Sequence, residues 1–326
     1  MLPVAIYYHP DCLFHDTGPV HPERPERVQR IHSALKNPAF SEWLHWHTPQ
    51  QAPAPWIEAV HSREYRAFIE ETCLTGRHTV DFGETLVCPD SYHAALLAAG
   101  GAIGCVDAVF QGGYQRAFNL MRPPGHHACS EKAMGFCLFN NVAIAAHYAR
   151  EVYGLERVCI IDWDVHHGNG TQDIFYESPA VLFCSLHQLP LYPHSGEQHE
   201  TGLGAGQHTT VNVPLPPGAG APLYQDAWES AIVPALEAFQ PDLILLSAGF
   251  DAHRLDPLAG MLLESGDYHS LTRWTVALAE RHCQGRLISI LEGGYHLEAL
   301  TESVIAHVQA LSGRAPAPQL TMSFPS

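Results

Sequence analysis

The chain is predicted to fold as one doubly wound α/β domain, and three observations carry that prediction. Short, continuously apolar runs such as Val158-Cys-Ile-Ile161 and Leu243-Ile-Leu-Leu246 have the length and residue types of parallel strands buried on both faces. Stretches with helical apolar spacing alternate with these runs from one end to the other, the pattern of successive βα units. No internal repeat and no linker divides the 326 residues, a length ample for one large core.

In chain order, a first strand is expected over 4–8, followed by a polar loop holding His9, Asp11, His15 and Asp16. His21-Pro-Glu-Arg24-Pro25 then opens a helix, because Pro25 suits a first helical position and Val28, Ile31 and Leu35 continue at helical spacing. Residues 43–55, rich in Pro, Gln and His, read as loop. Helices are expected over 62–72 and 91–110, the second with Ala94, Leu97, Ala98, Ala102, Cys105 and Val109 on an apolar stripe. A short strand over 117–120 breaks at Arg122-Pro-Pro-Gly125-His126-His127, where two prolines and a glycine impose a rigid turn. Both histidines therefore sit on a loop at a strand end, where catalytic groups belong in such folds.

Phe139-Asn140-Asn141 leads into a helix over 142–153, and the strand over 158–161 runs into Asp162-Trp-Asp164-Val-His166-His167-Gly168-Asn169. A helix around 171–176, a strand over 180–187 and a glycine-rich loop follow. That loop leads into a strand, 209–213, rather than a helix, so it reads as a pocket rim and not as a phosphate loop. A helix over 223–239 precedes a strand over 242–249 that ends in Phe250-Asp251, and a helix over 268–282 precedes a strand over 286–291 that ends in Glu292-Gly-Gly-Tyr295. From Ser312 on, Pro and Ala dominate, which divides the chain into a catalytic body, 1–312, and a surface tail, 313–326.

Lys and Arg number 17 against 34 Asp and Glu, a formal charge of -17 that argues against nucleic acid as a partner. The nine cysteines are scattered and mostly embedded in apolar sequence, the pattern of reduced core thiols rather than a disulfide framework or a CxxC zinc site. The amino terminus lacks a basic, apolar leader, and no run reaches the roughly 18 apolar residues of a membrane span, so a soluble, cytoplasmic protein with no membrane partner is expected. The composition sets no oligomeric state.

Four strand ends carry the chemistry. If the chain stays extended past Ile161, the alternation of a strand points Asp162, Asp164 and His166 to one side and His167 to the other. A metal held by Asp164, His166 and Asp251 would have three protein ligands and an open position, the arrangement of a catalytic zinc site. A nearby histidine, His126 or His127, can take a proton from water and return one to a leaving amine. Tyr295 can donate to a developing oxyanion.

The series His21-Pro-Glu-Arg-Pro25, Arg122-Pro-Pro-Gly-His-His127, Gly135-Phe-Cys137, Asp162-Trp-Asp-Val-His-His-Gly-Asn-Gly-Thr-Gln172, Ser247-Ala-Gly-Phe-Asp-Ala252 and Glu292-Gly-Gly-Tyr295 spans nearly the whole chain. Together these motifs resemble the histone deacetylase family, nearest in pattern to its class II branch and to bacterial deacetylase-like amidohydrolases. The resemblance implies an arginase-like α/β domain, an eight-stranded parallel sheet flanked by helices with the active site at the strand carboxyl ends. It implies zinc, with iron(II) as an alternative, on Asp164, His166 and Asp251. His126 and His127 become a dyad in which His127 accepts the proton, and Tyr295 polarises the carbonyl.

By the same route Phe136 and Tyr192 would wall the acyl-lysine channel, and Gly135 would offer its carbonyl to the substrate amide. Asp162 would orient His126 and also hold a structural potassium ion, together with Ser185, Leu186 and the main chain of Asp164 and His166. Arg24 would line an internal channel for acetate release. Asn169 stands where class I relatives carry an aspartate beside the second dyad histidine, and Leu258 stands where acetylpolyamine-selective relatives carry an acid. The implied activity is removal of acetyl or other short acyl groups from acyl-lysine in proteins or peptides. Three rival readings share the scaffold: a deacetylase of acetylpolyamines or other small acylated amines, a binuclear ureohydrolase, and an inactive acyl-lysine reader. Gly168 replaces an aspartate that the ureohydrolase needs, and a pure reader needs neither Tyr295 nor the dyad.

Overall fold

The computed structural model describes residues 2–315, so most of the expected tail, from 316 on, lies outside the described residues. Its strands are β1 (Val4–Tyr7), β2 (Leu44–His47), β3 (Arg116–Asn119), β4 (Val158–Asp162), β5 (Val181–Gln188), β6 (Thr210–Leu215), β7 (Leu243–Ala248) and β8 (Leu287–Leu291). All pair in parallel, in the order β2-β1-β3-β8-β7-β4-β5-β6. The helices are α1 (Glu26–Leu35), α2 (Ala54–Glu58), α3 (Arg63–Leu74), α4 (Ser91–Phe110), α5 (Asn141–Tyr153), α6 (Asn169–Phe175), α7 (Ala221–Ala227), α8 (Val233–Phe239), α9 (Ser265–His282) and α10 (Leu297–Leu311).

Strand alternation feeds two separate cores. Cys159 and Ile161 of β4 point into a layer built with α1, α7, α8, α9 and α10, while Val158 and Ile160 point into a layer built with α3, α4 and α5. At 20 residues α4 is long and apolar enough to cross a membrane, which departs from the reading that no such run exists. Here 78% of that stretch is buried inside the protein, so it is a core helix whose apolar faces meet the sheet and its neighbouring helices.

Four elements differ from the sequence reading, the first being α2, which begins inside the stretch 43–55 expected as loop. Residues 44–47, expected as loop, form the edge strand β2, whose short apolar/polar alternation is supported by pairing with β1 and by Trp46 packing against Tyr8 and His32. The helix expected over 223–239 is interrupted by a π-helical turn, Trp228–Ile232, between α7 and α8. α10 was not anticipated. It packs its apolar side on the core and buries His307, whose ring nitrogens lie 2.7 Å from Thr272 Oγ1 and 2.8 Å from Ser289 Oγ.

Candidate active site

The sheet order sets β3, β8, β7 and β4 side by side, although β7 and β8 are the last strands made. Their carboxyl ends therefore deliver His126 and His127, Tyr295, Asp251, and Asp164 with His166 to one place. This is the crevice position at which open parallel sheets bind ligands.

β4 ends at Asp162, and residues 163–168 turn rather than continue as a strand. The expected sidedness is still met, for His166 faces the carboxylates while His167 turns away to Ser195 Oγ at 2.8 Å and Gln172 Oε1 at 3.0 Å. The candidate ligand atoms of Asp164, His166 and Asp251 all lie within 4.8 Å of one another, and all three residues are buried. His166 Nδ1 is 3.2 Å from Asp164 Oδ1 and 3.1 Å from Asp251 Oδ2. Backbone N–H groups fix the carboxylates: Gly293 donates to Asp164 Oδ2 at 2.8 Å, His166 to Asp164 Oδ1 at 2.9 Å, and Val165 to Asp251 Oδ1 at 2.9 Å. A Cβ at position 293 would come within 2.2 Å of Asp251 Oδ2 and 2.5 Å of Asp164 Oδ2, so only glycine fits there.

Two carboxylates and an imidazole nitrogen packed together away from water require a positive charge among them. Burial alone would hold the His166 imidazole down, yet its hydrogen bonds to Asp164 and Asp251 push it up to about 10. Burial and the neighbouring Asp164 raise Asp251. Asp164, in spite of burial, is held well below the carboxylate range by His126 and His166. The donor set, one imidazole and two carboxylates, fits a divalent ion of the zinc or iron(II) kind. Gly168 lies against Asp162, where a Cβ would meet Oδ2 at 2.2 Å, so the position has no room for the side chain a second metal would need.

The two dyad histidines are buried, tilted rings 4.0 Å apart at their centres, yet they face opposite environments. His126 Nδ1 lies 3.0 Å from Asp162 Oδ2, and although burial opposes its charge, Asp164 and Asp162 push it up to about 10. His127 Nδ1 lies 2.8 Å from Asn169 Oδ1, while burial and the neighbouring His126 and His166 hold it well below its ordinary range. The amide nitrogen of Asn169 faces the sulfurs of Met134 and Cys129 at 3.3 and 3.6 Å, which leaves its oxygen to accept from His127. A neutral amide fixes the ring orientation without supplying the charge that would favour imidazolium.

Glu292 was not anticipated as part of the site. Its Oε2 accepts the N–H groups of Gly125 at 2.7 Å and His126 at 3.2 Å, which ties the loop after β3 to the end of β8. Arg24, assigned to an internal channel, is half-buried at the entry to α1, and the arginine beneath the site is Arg27. Arg27 Nε donates to the Gly294 carbonyl at 2.7 Å, its Nη1 to Glu23 Oε1 at 3.1 Å, and its guanidinium lies 5.0 Å over the Tyr295 ring. The physical reason is where the helix begins: α1 starts at Glu26, so Arg27 lies in its buried first turn while Arg24 precedes it. Glu23 and Arg27 stand four apart, and that spacing was the available signal. Glu23 also receives Arg122 Nη2 at 2.6 Å.

Tyr295 is fixed through its N–H, which donates to Asp256 Oδ2 at 2.7 Å. Burial pushes its phenol well above the ordinary range although Arg27 opposes the shift, so it is a hydrogen-bond donor. Phe136, Tyr192, Leu258 and Tyr295 wall a cleft of ≈ 190 Å³ whose floor includes His127 and His166. Gly135 lines it too, with φ +55°, and a Cβ there would strike the His127 ring at 2.3 Å. The Phe136 and Tyr295 rings meet edge to face at 5.9 Å, and Tyr192 meets His127 the same way at 5.3 Å. Asp162, Ser185 and Leu186 are buried at the β4–β5 boundary, where Asp162 and Ser185 are register partners and Ser185 Oγ lies 2.9 Å from His187 Nδ1.

A family model for the histone deacetylase domain matches residues 21–311. A probable deacetylase of Archaeoglobus fulgidus is 41% identical, covering 95% of this chain and 86% of its own. Polyamine deacetylase HDAC10 of Homo sapiens is 37% identical over 97% of this chain and 49% of its own. The crystal structure of the HDA15 HD domain superposes with a TM-score of 0.91 at 35% identity, covering 97% of this chain and 91% of that one.

Proposed function

The chain belongs to the histone deacetylase family and is a deacetylase, a hydrolase of amide C–N bonds, and from that premise we propose that it removes acetyl or other short acyl groups from the side-chain amide of acyl-lysine. The observation that carries the reading is the convergence of Asp164, His166 and Asp251 with His127 and Tyr295 at the floor of a narrow, apolar-walled cleft. Asp164, His166 and Asp251 would hold one zinc ion, which when bound brings the pKa of a water to about 7 and polarises a carbonyl. Potassium is assigned to Asp162, Ser185, Leu186 and the main chain of Asp164 and His166 by the family resemblance, with which the pairing of Asp162 and Ser185 across β4 and β5 is compatible.

The protein groups divide the remaining work. His127, with Nδ1–H held by Asn169, presents its Nε2 lone pair and accepts the proton of the attacking water, then returns a proton to the leaving amine. His126, paired with Asp162, keeps a positive charge beside the negative charge that develops on the substrate. Tyr295 donates to the oxyanion, and Arg27 beneath its ring keeps it in place. Phe136, Tyr192 and Leu258 exclude water from the aliphatic stem.

A second reading, hydrolysis of acylpolyamines, is favoured by the resemblance to a relative named as a polyamine deacetylase. Turnover of an acyl-lysine peptide panel and of acetylspermidine by purified, metal-analysed protein separates the two, and a large preference for the polyamine would overturn the first. Tyr295→Phe should keep zinc bound and lose on the order of 100- to 1,000-fold in kcat. Near-normal turnover in that variant would remove the assigned oxyanion donor.

A further inference from the structure

The cleft has a graded wall. His127 and His166 at its floor are buried, Phe136, Tyr192, Leu258 and Tyr295 are half-buried, and Glu84 is exposed, so Glu84 stands at the mouth. No Lys or Arg lines the cleft, and the wall between floor and mouth is otherwise apolar or aromatic. A substrate that threads its acylated stem past Phe136 therefore meets a carboxylate as it emerges.

Glu84 does not hang on a loose loop. Asp81 Oδ1 accepts the N–H groups of Gly83 at 3.0 Å, Glu84 at 2.9 Å and Thr85 at 2.9 Å, closing the backbone around one carboxylate. Thr85 Oγ1 then accepts the N–H of Phe136 at 3.2 Å, which fastens this turn to the channel wall. The His21 ring packs edge to face on Phe136 at 4.6 Å and places Nε2 3.4 Å from the Glu84 carbonyl oxygen. Asp81 is consumed in holding the turn, while the exposed Glu84 carboxylate lines the mouth against the Tyr192 hydroxyl, which burial and then this carboxylate push up.

We propose that Glu84 is a specificity-determining residue that binds a cationic nitrogen of the substrate lying beyond the acylated stem. This deepens the deacetylase reading above and rests on it. Leu258 on the wall supplies no charge, so the acidic contact that favours a cationic substrate comes from the turn before α4 instead. A solvated carboxylate at a rim is the alternative, and it would discriminate between no substrates. The net charge of -17 draws any cation toward the protein, whereas Glu84 selects by position. The same chemistry serves an ammonium of an acylated polyamine or a basic side chain next to an acyl-lysine.

The test measures kcat/KM of the zinc-loaded protein for three substrates: acetylspermidine, an acetyl-lysine peptide with one neighbouring lysine, and the same peptide with blocked ends and no other charge. The ratio of each cationic substrate to the neutral one is read for the wild type, Glu84→Gln and Glu84→Lys. Exposed ion pairs are modest, so Glu84→Gln should lower at least one ratio about three- to tenfold, through KM, and Glu84→Lys should lower it further. A fall for acetylspermidine alone, or for the basic peptide alone, identifies the source of the cation. Ratios that stay within twofold of wild type in both variants overturn the assignment while leaving the deacetylase reading intact. Failure of the wild type to hydrolyse any of the three overturns both.

Discussion

Asn169 concentrates the residue-level question, because its neutral amide, rather than a carboxylate, is the group held against His127 Nδ1. Asn169→Asp would place a carboxylate 2.8 Å from Nδ1 and favour the imidazolium. Since His127 works as a base only when neutral, the acid limb of the kcat/KM profile should move to higher pH, and activity below neutrality should fall while the alkaline side is kept. A pH–rate profile of the variant checks this, and an unmoved limb would show that His127 is not the titrating base. All nine cysteines are free and seven are buried, in keeping with reduced core thiols, and Cys88 is one of the two that are not. Cys88 is half-buried, its Sγ accepting from the Asp16 N–H at 3.3 Å and the Ser91 hydroxyl at 3.4 Å. Burial opposes ionisation, but His15 and Ser91 draw Cys88 down to about 7, whereas burial pushes Cys12 up to about 12 and Cys73 and Cys129 to about 11. Iodoacetamide should therefore label Cys88 first, with a rate that climbs through about pH 7. Peptide mapping that finds another thiol labelled sooner would contradict this.

At the scale of elements, α4 shows why a residue that weakens a helix is retained. Gly100 sits where a Cβ would come within 1.8 Å of the Gln50 carbonyl oxygen and 2.9 Å of the Ala52 nitrogen, both backbone atoms that cannot rotate away. Gly100→Ala gains about 1 kcal/mol of helix propensity. Overpacking against fixed backbone typically costs about 1–3 kcal/mol, so the variant should melt at or below the wild-type temperature. A clear rise in the melting temperature would mean that the 50–52 segment yields. The edge strand β2 and the helix α10 make the converse point about legibility. Leu44-His-Trp-His47 alternates apolar and polar residues over only four positions, too short a pattern to assign alone, and becomes a strand by pairing with β1. Leu300, Val304, Val308 and Leu311 do carry helical spacing, so α10 is legible in the sequence.

Across the whole molecule, the candidate metal site joins strands far apart in the chain. Asp164 and Asp251 lie within one ligand cluster although 87 residues separate them, and Gly293 N–H closes on Asp164 from β8. Removing the ion would leave buried carboxylates facing one another, so chelation should lower the melting temperature as well as abolish hydrolysis. At an ion concentration 1,000 times its Kd, the bound state is stabilised by about 4 kcal/mol. The melting temperature should fall by several degrees on chelation and return on adding zinc. A melting curve indifferent to chelator, with zinc shown to be removed, would argue that the site contributes nothing to the fold.

The sequence by itself determined the α/β class and most strands and helices, and it placed the candidate metal ligands, the paired histidines and Tyr295 at strand ends. These are local signals: the period of apolar residues assigns an element and its buried face, and polar groups at a strand end mark the crevice. Only the tertiary structure decided that Arg27 rather than Arg24 lies beneath Tyr295, that Glu292 holds the dyad loop, and that Glu84 stands at the mouth. Arg24 precedes α1 and stays half-buried, whereas Arg27 lies in the first turn of α1 and is buried, so the point at which the helix begins decides between them. Glu292 and Glu84 reach the site through strand order and loop closure, with β8 inserted between β3 and β7, an arrangement that no spacing along the chain records.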